Sequence, residues 1–158
     1  MKNIKFLMKQ LNYSFLNLSN LNEALTHSSY DDGSNNKNYE RLEFLGDRVL
    51  GLIIANELFL QNNYSPEGEL AKKFSFLVCK STLKKIAGEI EIEKYLKYSR
   101  RIKSLDGISV NALEALIGAI YLDSNLENTK KIILKLWKKY LENINLSKID
   151  PKSRLQEW

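Results

Sequence analysis

The sequence predicts an all-α domain of seven to eight helices. Apolar residues recur at three- and four-residue intervals along most of the chain, and no segment shows the apolar–polar alternation of a half-buried strand. Only two prolines and seven glycines interrupt the 158 residues. That length supports one compact domain with a substantial core.

The elements follow in order. Ile4, Leu7, Met8 and Leu11 make a short amphipathic opening helix, and Asn20 is expected to cap a second helix through Leu21, Ala24 and Leu25. The stretch Asp31 to Asn38, rich in Asn, Asp, Ser and Gly, reads as a loop. A long helix runs from about Tyr39 to Leu60. Ser65-Pro66-Glu67 is a start signal, because proline at the first helical position loses no hydrogen bond and an acid there meets the positive end of the helix dipole. The helix it opens runs through Leu70, Phe74, Leu77 and Val78, and another passes through Leu83, Ile86 and Ala87 to Gly88. After an irregular stretch around Arg100 to Asp106, the run Ile108 to Leu122 is almost wholly apolar or small, which predicts a buried central helix. The last helix, Leu126 to Ile144, turns Ile133, Leu136, Trp137, Tyr140 and Leu141 inward and its lysines outward. Trp137 and the tyrosines read as core or rim residues.

Composition narrows the class. With 44% hydrophobic and 27% charged residues, disordered, collagen-like and transmembrane chains are excluded. Lys2, Lys5 and Lys9 are interleaved with apolar residues, unlike an export signal. The lone Cys79 cannot form an internal disulfide; a small core residue in a reducing cytoplasm is the expectation. Charge is unevenly placed: residues 1–129 carry 16 charges of each sign, and residues 130–158 carry 8 basic against 3 acidic, so the net +5 lies in the last segment. A polyanion partner and a solvated lysine face both account for such a stripe.

Polar residues inside apolar helices demand explanation. Glu40, Glu43 and Asp47 are spaced i, i+3 and i+7, within roughly 60° of one helix face at 100° per residue. Like charges that close repel, and only Arg41 and Arg48 are near in sequence. A hard divalent cation would resolve the repulsion, since Mg²⁺ prefers carboxylate oxygens and retains several waters. Glu114, three residues after Asn111, is costly in an apolar helix unless paired or metal-bound. If the two helices pack together, Glu43, Asp47, Asn111 and Glu114 converge on one oxygen-rich pocket; capping or surface roles for these acids are the competing reading.

The run Tyr39-Glu40-Arg41-Leu42-Glu43-Phe44-Leu45-Gly46-Asp47-Arg48-Val49-Leu50 closely resembles the signature of the ribonuclease III endonuclease domain. Ala24-Leu25-Thr26-His27-Ser28-Ser29 resembles the family's preceding Thr-His segment, and Pro66-Glu67-Gly68-Glu69-Leu70 its turn into the next helix. The segment from Asn111 to Asp123 resembles its second acidic motif. Residues 150–158, Asp-Pro-Lys-Ser-Arg-Leu-Gln-Glu-Trp, resemble the junction that leads into a double-stranded-RNA-binding domain. On that resemblance residues 1–146 form the endonuclease domain, and 147–158 form a linker toward an RNA-binding domain that this chain lacks.

The resemblance implies hydrolysis of double-stranded RNA to 5′-phosphate and 3′-hydroxyl ends, in RNA processing such as ribosomal precursor maturation. The implied cofactor is Mg²⁺, with Mn²⁺ able to substitute. By motif position Glu43, Asn111 and Glu114 would hold metal, Asp47 and Glu114 would be catalytic, and Glu40 would contact RNA or support the site. The resemblance also implies a homodimer in which Phe44 inserts into the partner; ordinary core packing is the alternative for Phe44. Gly46 would permit close backbone approach, or else be a tolerated helix glycine costing about 1 kcal/mol relative to alanine. Asn111 departs from the family's usual Asp and removes one negative charge from the pocket, so weaker metal binding is expected. A weakly active or inactive double-stranded-RNA-binding dimer is therefore the first alternative. A helical interaction module with decorative acids is the second, and it requires Glu114 to be exposed and unpaired. His27, the only histidine, suits a structural hydrogen-bonding role better than catalysis, and zinc sites, nucleotide cofactors and membrane partners find no motif.

Overall fold

The computed structural model describes residues 3–146. Among them it places seven α-helices: α1 (Ile4–Leu11), α2 (Leu18–Ala24), α3 (Glu40–Gln61), α4 (Glu67–Val78), α5 (Lys80–Glu89), α6 (Asp106–Asp123) and α7 (Leu126–Leu146). A 3-10 turn at Ile92–Tyr95 joins α5 to the irregular approach to α6. No strand occurs among the described residues; a single bridge pairs Thr26 with Lys97. The expected linker at 147–158, and with it Lys148, Lys152 and Arg154 of the basic stripe, lies outside the described residues.

α6 is the axis of the molecule. Val110, Ala112, Leu113 and every residue from Ala115 to Ile120 are buried, as a helix apolar on all sides requires. α3 packs along it over the longest contact in the fold, with α2, α5 and α7 around the remaining sides. α7 presents one apolar stripe: Ile132, Ile133, Trp137, Tyr140 and Leu141 are buried, and Trp137 donates its indole N–H to the Leu77 carbonyl at 2.9 Å. Leu136, expected inward, is only half-buried, because Ile132 takes the inner edge of the stripe. At the far end of α6, Asp123 gathers the N-terminal segment, accepting the Tyr13 hydroxyl and the backbone N–H groups of Leu16 (2.8 Å) and Asn17 (2.9 Å). No helix among the described residues is long and apolar enough to cross a membrane.

Helix ends differ from expectation for local reasons. Asn17, not Asn20, caps α2: its backbone is extended and its side chain accepts the Ser19 N–H at 2.9 Å, while Asn20 lies inside the helix. Pro66 stands just before α4 rather than within it, extended at ψ 161, and its carbonyl accepts the N–H groups of Glu69 and Leu70. Cys79 is half-buried rather than a core residue, because it occupies the extended break between α4 and α5. There its thiol donates to the Phe76 carbonyl at 3.2 Å.

Candidate active site at the α3–α6 crossing

Two glycines bring α3 and α6 together backbone to backbone. A Cβ on Gly46 would lie 1.6 Å from the Glu114 carbonyl oxygen, and one on Gly118 would lie 2.4 Å from the Leu42 carbonyl oxygen. The close-approach reading of Gly46 therefore holds, and Gly118 is its counterpart on α6. Because the contact is made by the main chain, side chains flanking the glycines are set at its rim. Glu43 and Asp47 flank Gly46 on α3, and Glu114 stands at the contact on α6, with Asn111 almost one turn earlier.

Glu114 is half-buried, and its carboxyl is pushed up to about 7, by burial first and then by the charges of Asp47 and Glu43 and a hydrogen bond with Asp47. The ammonium of Lys80, at the start of α5, acts in the opposite direction. Glu43, also half-buried, is raised by burial and by the charges of Glu40 and Asp47. The packing of α3 on α6 has thus assembled carboxylates that destabilise one another's charged forms. Asp47 meets the Arg48 guanidinium at 3.0 Å, but both side chains are exposed, and such a pair contributes about 0–1 kcal/mol. Glu40 is exposed on the first turn of α3, where its charge acts on Glu43. The interaction-module reading required an exposed, unpaired Glu114, and the carboxyl is neither.

Asn111 is half-buried and donates its Nδ2–H to the Tyr39 hydroxyl oxygen at 3.5 Å. Phe44 is 63% exposed, which excludes core packing, and the Arg48 guanidinium lies 4.2 Å from its ring centroid. It heads a line of uncovered apolar side chains on α3 that continues through Leu52 (58%) and Phe59 (67%). His27 takes its structural role: Nδ1 accepts the Ser29 N–H at 3.1 Å, and the ring stands edge-on to Tyr39.

The donor set is oxygen only: three carboxylates and one amide carbonyl. No group of three His, Cys, Asp or Glu side chains among the described residues forms a cation cage by itself. The mutual repulsion of Glu43, Asp47 and Glu114 is what a hard divalent ion would relieve.

The ribonuclease-III-like family model matches residues 18–141, which include both acidic segments and the crossing between them. The chain belongs to the ribonuclease III family. Ribonuclease 3 of Rickettsia massiliae (strain Mtu5) is 44% identical over 167 aligned positions that cover all of this chain and 73% of the relative. Ribonuclease 3 of Rickettsia prowazekii (strain Madrid E) is 43% identical, with 74% of its length covered. Among solved structures, the nuclease domain of ribonuclease III from Campylobacter jejuni superposes with a TM-score of 0.78 at 37% identity, covering 95% of this chain and 100% of that one. A second structure of that domain, described as showing flexibility in the region of dimer formation, gives 0.79 at 37% identity, over 87% of this chain and 97% of that one. Dicer from Pichia stipitis gives 0.66 at 26% identity over 85% of this chain and 61% of its own. The chain has the all-α ribonuclease III fold and is an endoribonuclease of that family.

Three residues escaped the sequence reading of the site. Gly118 sits in an apolar run where nothing marks it from its neighbours, Lys80 reaches Glu114 only because α5 packs on α6, and the hydroxyl of Tyr39 meets Asn111 across 72 residues of sequence.

Proposed function

We propose that residues 1–146 form a divalent-metal-dependent endonuclease unit that cuts double-stranded RNA, leaving 5′-phosphate and 3′-hydroxyl ends. The observation that carries this is the convergence of Glu43, Asp47 and Glu114 at the α3–α6 crossing as carboxylates with too little cationic compensation. Glu43, Asn111 and Glu114 are the residues to hold Mg²⁺, with Mn²⁺ as a substitute. When bound, the ion supplies an activated water and neutralisation of charge on the phosphate. Asp47, whose charge acts on Glu114, would orient that water and take its proton. Glu40, exposed beside Glu43, supports the site or meets the RNA. The exposed line Phe44, Leu52 and Phe59 is the face we assign to a homodimer, Phe44 entering the partner. RNA processing in the cytoplasm, ribosomal precursors included, is the setting that fits this activity.

A long RNA duplex incubated with rising Mg²⁺ should be cut by the chain, and Glu114→Gln should lose at least about a hundredfold in rate. End-labelling the products checks the chemistry of the ends. Asn111 favours a second reading, a dimer that binds duplex but cuts it weakly. Asn111→Asp decides between the two: a lower Mg²⁺ requirement with similar maximal rate supports the enzyme, whereas cleavage seen only in the Asp variant supports the binding dimer.

A further inference from the structure

An amide differs from a carboxylate in more than charge, because its two ends are unlike. Only the carbonyl oxygen of Asn111 can meet a cation, since the NH₂ end presents hydrogens. A carboxylate at the same position would offer an oxygen whichever way it turned. The neighbouring carboxylates Glu43 and Glu114 are acceptors, and left to themselves they would draw the NH₂ end toward the pocket and leave the wrong face for a metal. A site with Asn111 therefore needs a group that selects the amide's orientation.

We propose that Tyr39 is a positioning residue for this site: its hydroxyl oxygen accepts the Asn111 Nδ2–H and so keeps the Asn111 carbonyl oxygen available to a divalent cation. This rests on the reading of Glu43, Asn111 and Glu114 as cation ligands. The Nδ2 to hydroxyl distance is 3.5 Å, at the long limit of a hydrogen bond, and the Tyr39 hydroxyl is the one side-chain partner of the amide among the described residues. The carbonyl oxygen of Asn111 accepts no hydrogen bond among the described residues. No buried side-chain polar atom there lacks a partner, so this oxygen reaches solvent and is free to take a ligand.

The phenol is held firmly enough to do this. Tyr39 is 3% exposed, its backbone N–H donates to the Thr26 carbonyl at 2.9 Å, and its own carbonyl accepts the Glu43 N–H at 2.8 Å. The His27 ring meets its ring edge-on, with centroids 5.6 Å apart at 74°. His27 is in turn fixed by its backbone N–H to the Lys97 carbonyl at 2.9 Å and by Ser29, whose hydroxyl lies 2.7 Å from Nδ1 and accepts the Ser99 N–H at 2.9 Å. The segment carrying His27 thus packs against Tyr39 and holds its ring.

The test is a double-mutant cycle read by direct Mn²⁺ titration of the full chain without RNA, following free Mn²⁺ by electron paramagnetic resonance. Tyr39→Phe keeps the ring and removes the acceptor. In the Asn111 background it should weaken Mn²⁺ binding about twofold, the low end of what one neutral hydrogen bond commands. In the Asn111→Asp background, where either oxygen serves, it should change nothing. Equal weakening in both backgrounds, or none in the first, overturns the proposal. If neither Tyr39-containing chain binds Mn²⁺, the cation reading itself falls and the proposal with it. Independently of any variant, the Asn111 NH₂ protons of the metal-free chain should show a nuclear Overhauser contact to the Tyr39 ring, and its absence also overturns the assignment.

Discussion

Glu114 carries two opposed demands in one side chain: the charge that the proposed cation binding requires and a half-buried place that resists it. Its carboxyl sits at about 7, above the ordinary 4.5, so between those values the folded chain holds a proton that the unfolded chain has released. Stability therefore falls as pH rises through that window, and the penalty is complete above about pH 7. At about 1.4 kcal/mol per unit the upper bound is about 3 kcal/mol, and solvent screening of a half-buried group lowers it to about 1–2 kcal/mol. With divalent cations chelated, Glu114→Gln should melt a few degrees above the parent at pH 8, with no advantage near pH 4.5; a variant that melts lower at pH 8 would show that repulsion is not the governing effect. Adding Mg²⁺ at pH 8 should raise the melting temperature of the parent but not of Glu114→Gln. At this scale the sequence was informative about acids and silent about what fixes them. Glu43, Asp47 and Glu114 stand out because charge is costly in apolar helices, whereas the Tyr39 hydroxyl looks like any aromatic of the core until the fold brings Asn111 to it.

Helix identity was legible because the three- and four-residue apolar spacing is strong in every element, and α6 in particular could hardly be anything but central. Helix ends were less so. Asn17 and Asn20 are chemically alike, and only the extended backbone at Asn17 decides which of them caps α2. The separation of α3 from α6 was half legible: α3 carries two glycines, Gly46 and Gly51, of which only Gly46 proves to be the contact, and Gly118, among small and apolar residues, is unmarked. Gly118→Ala puts a methyl group 2.4 Å from the Leu42 carbonyl oxygen, which main chain cannot accommodate without the helices parting. The expected destabilisation is about 2–4 kcal/mol, measured by urea unfolding. Gly88→Ala, where an added Cβ meets nothing within 4 Å, should be neutral or slightly stabilising in the same assay.

Across the whole molecule, the acid site and the uncovered apolar line share α3, so on the proposed function dimer formation and cleavage would be coupled by geometry. Replacing Leu52 with Glu puts a charge in the middle of that line while leaving the crossing untouched. Sedimentation should then show a shift from dimer toward monomer, with duplex cleavage reduced in step; a monomer that cuts at the parental rate would sever the two properties. The line was invisible to periodicity alone, which favours burial for Phe44; only its 63% exposure separates an outward face from a core position. The glycine crossing carries a last consequence. Where helices meet through side chains, each core substitution shifts their spacing by a fraction of an ångström, and a reactive centre straddling them drifts with it. Here the spacing is set by one carbonyl lodged against a bare Cα on each side, so the distance between Asp47 and Glu114 is decoupled from the surrounding core. Leucine-to-isoleucine exchanges in the surrounding core should therefore leave the relative placement of Asp47 and Glu114 unchanged.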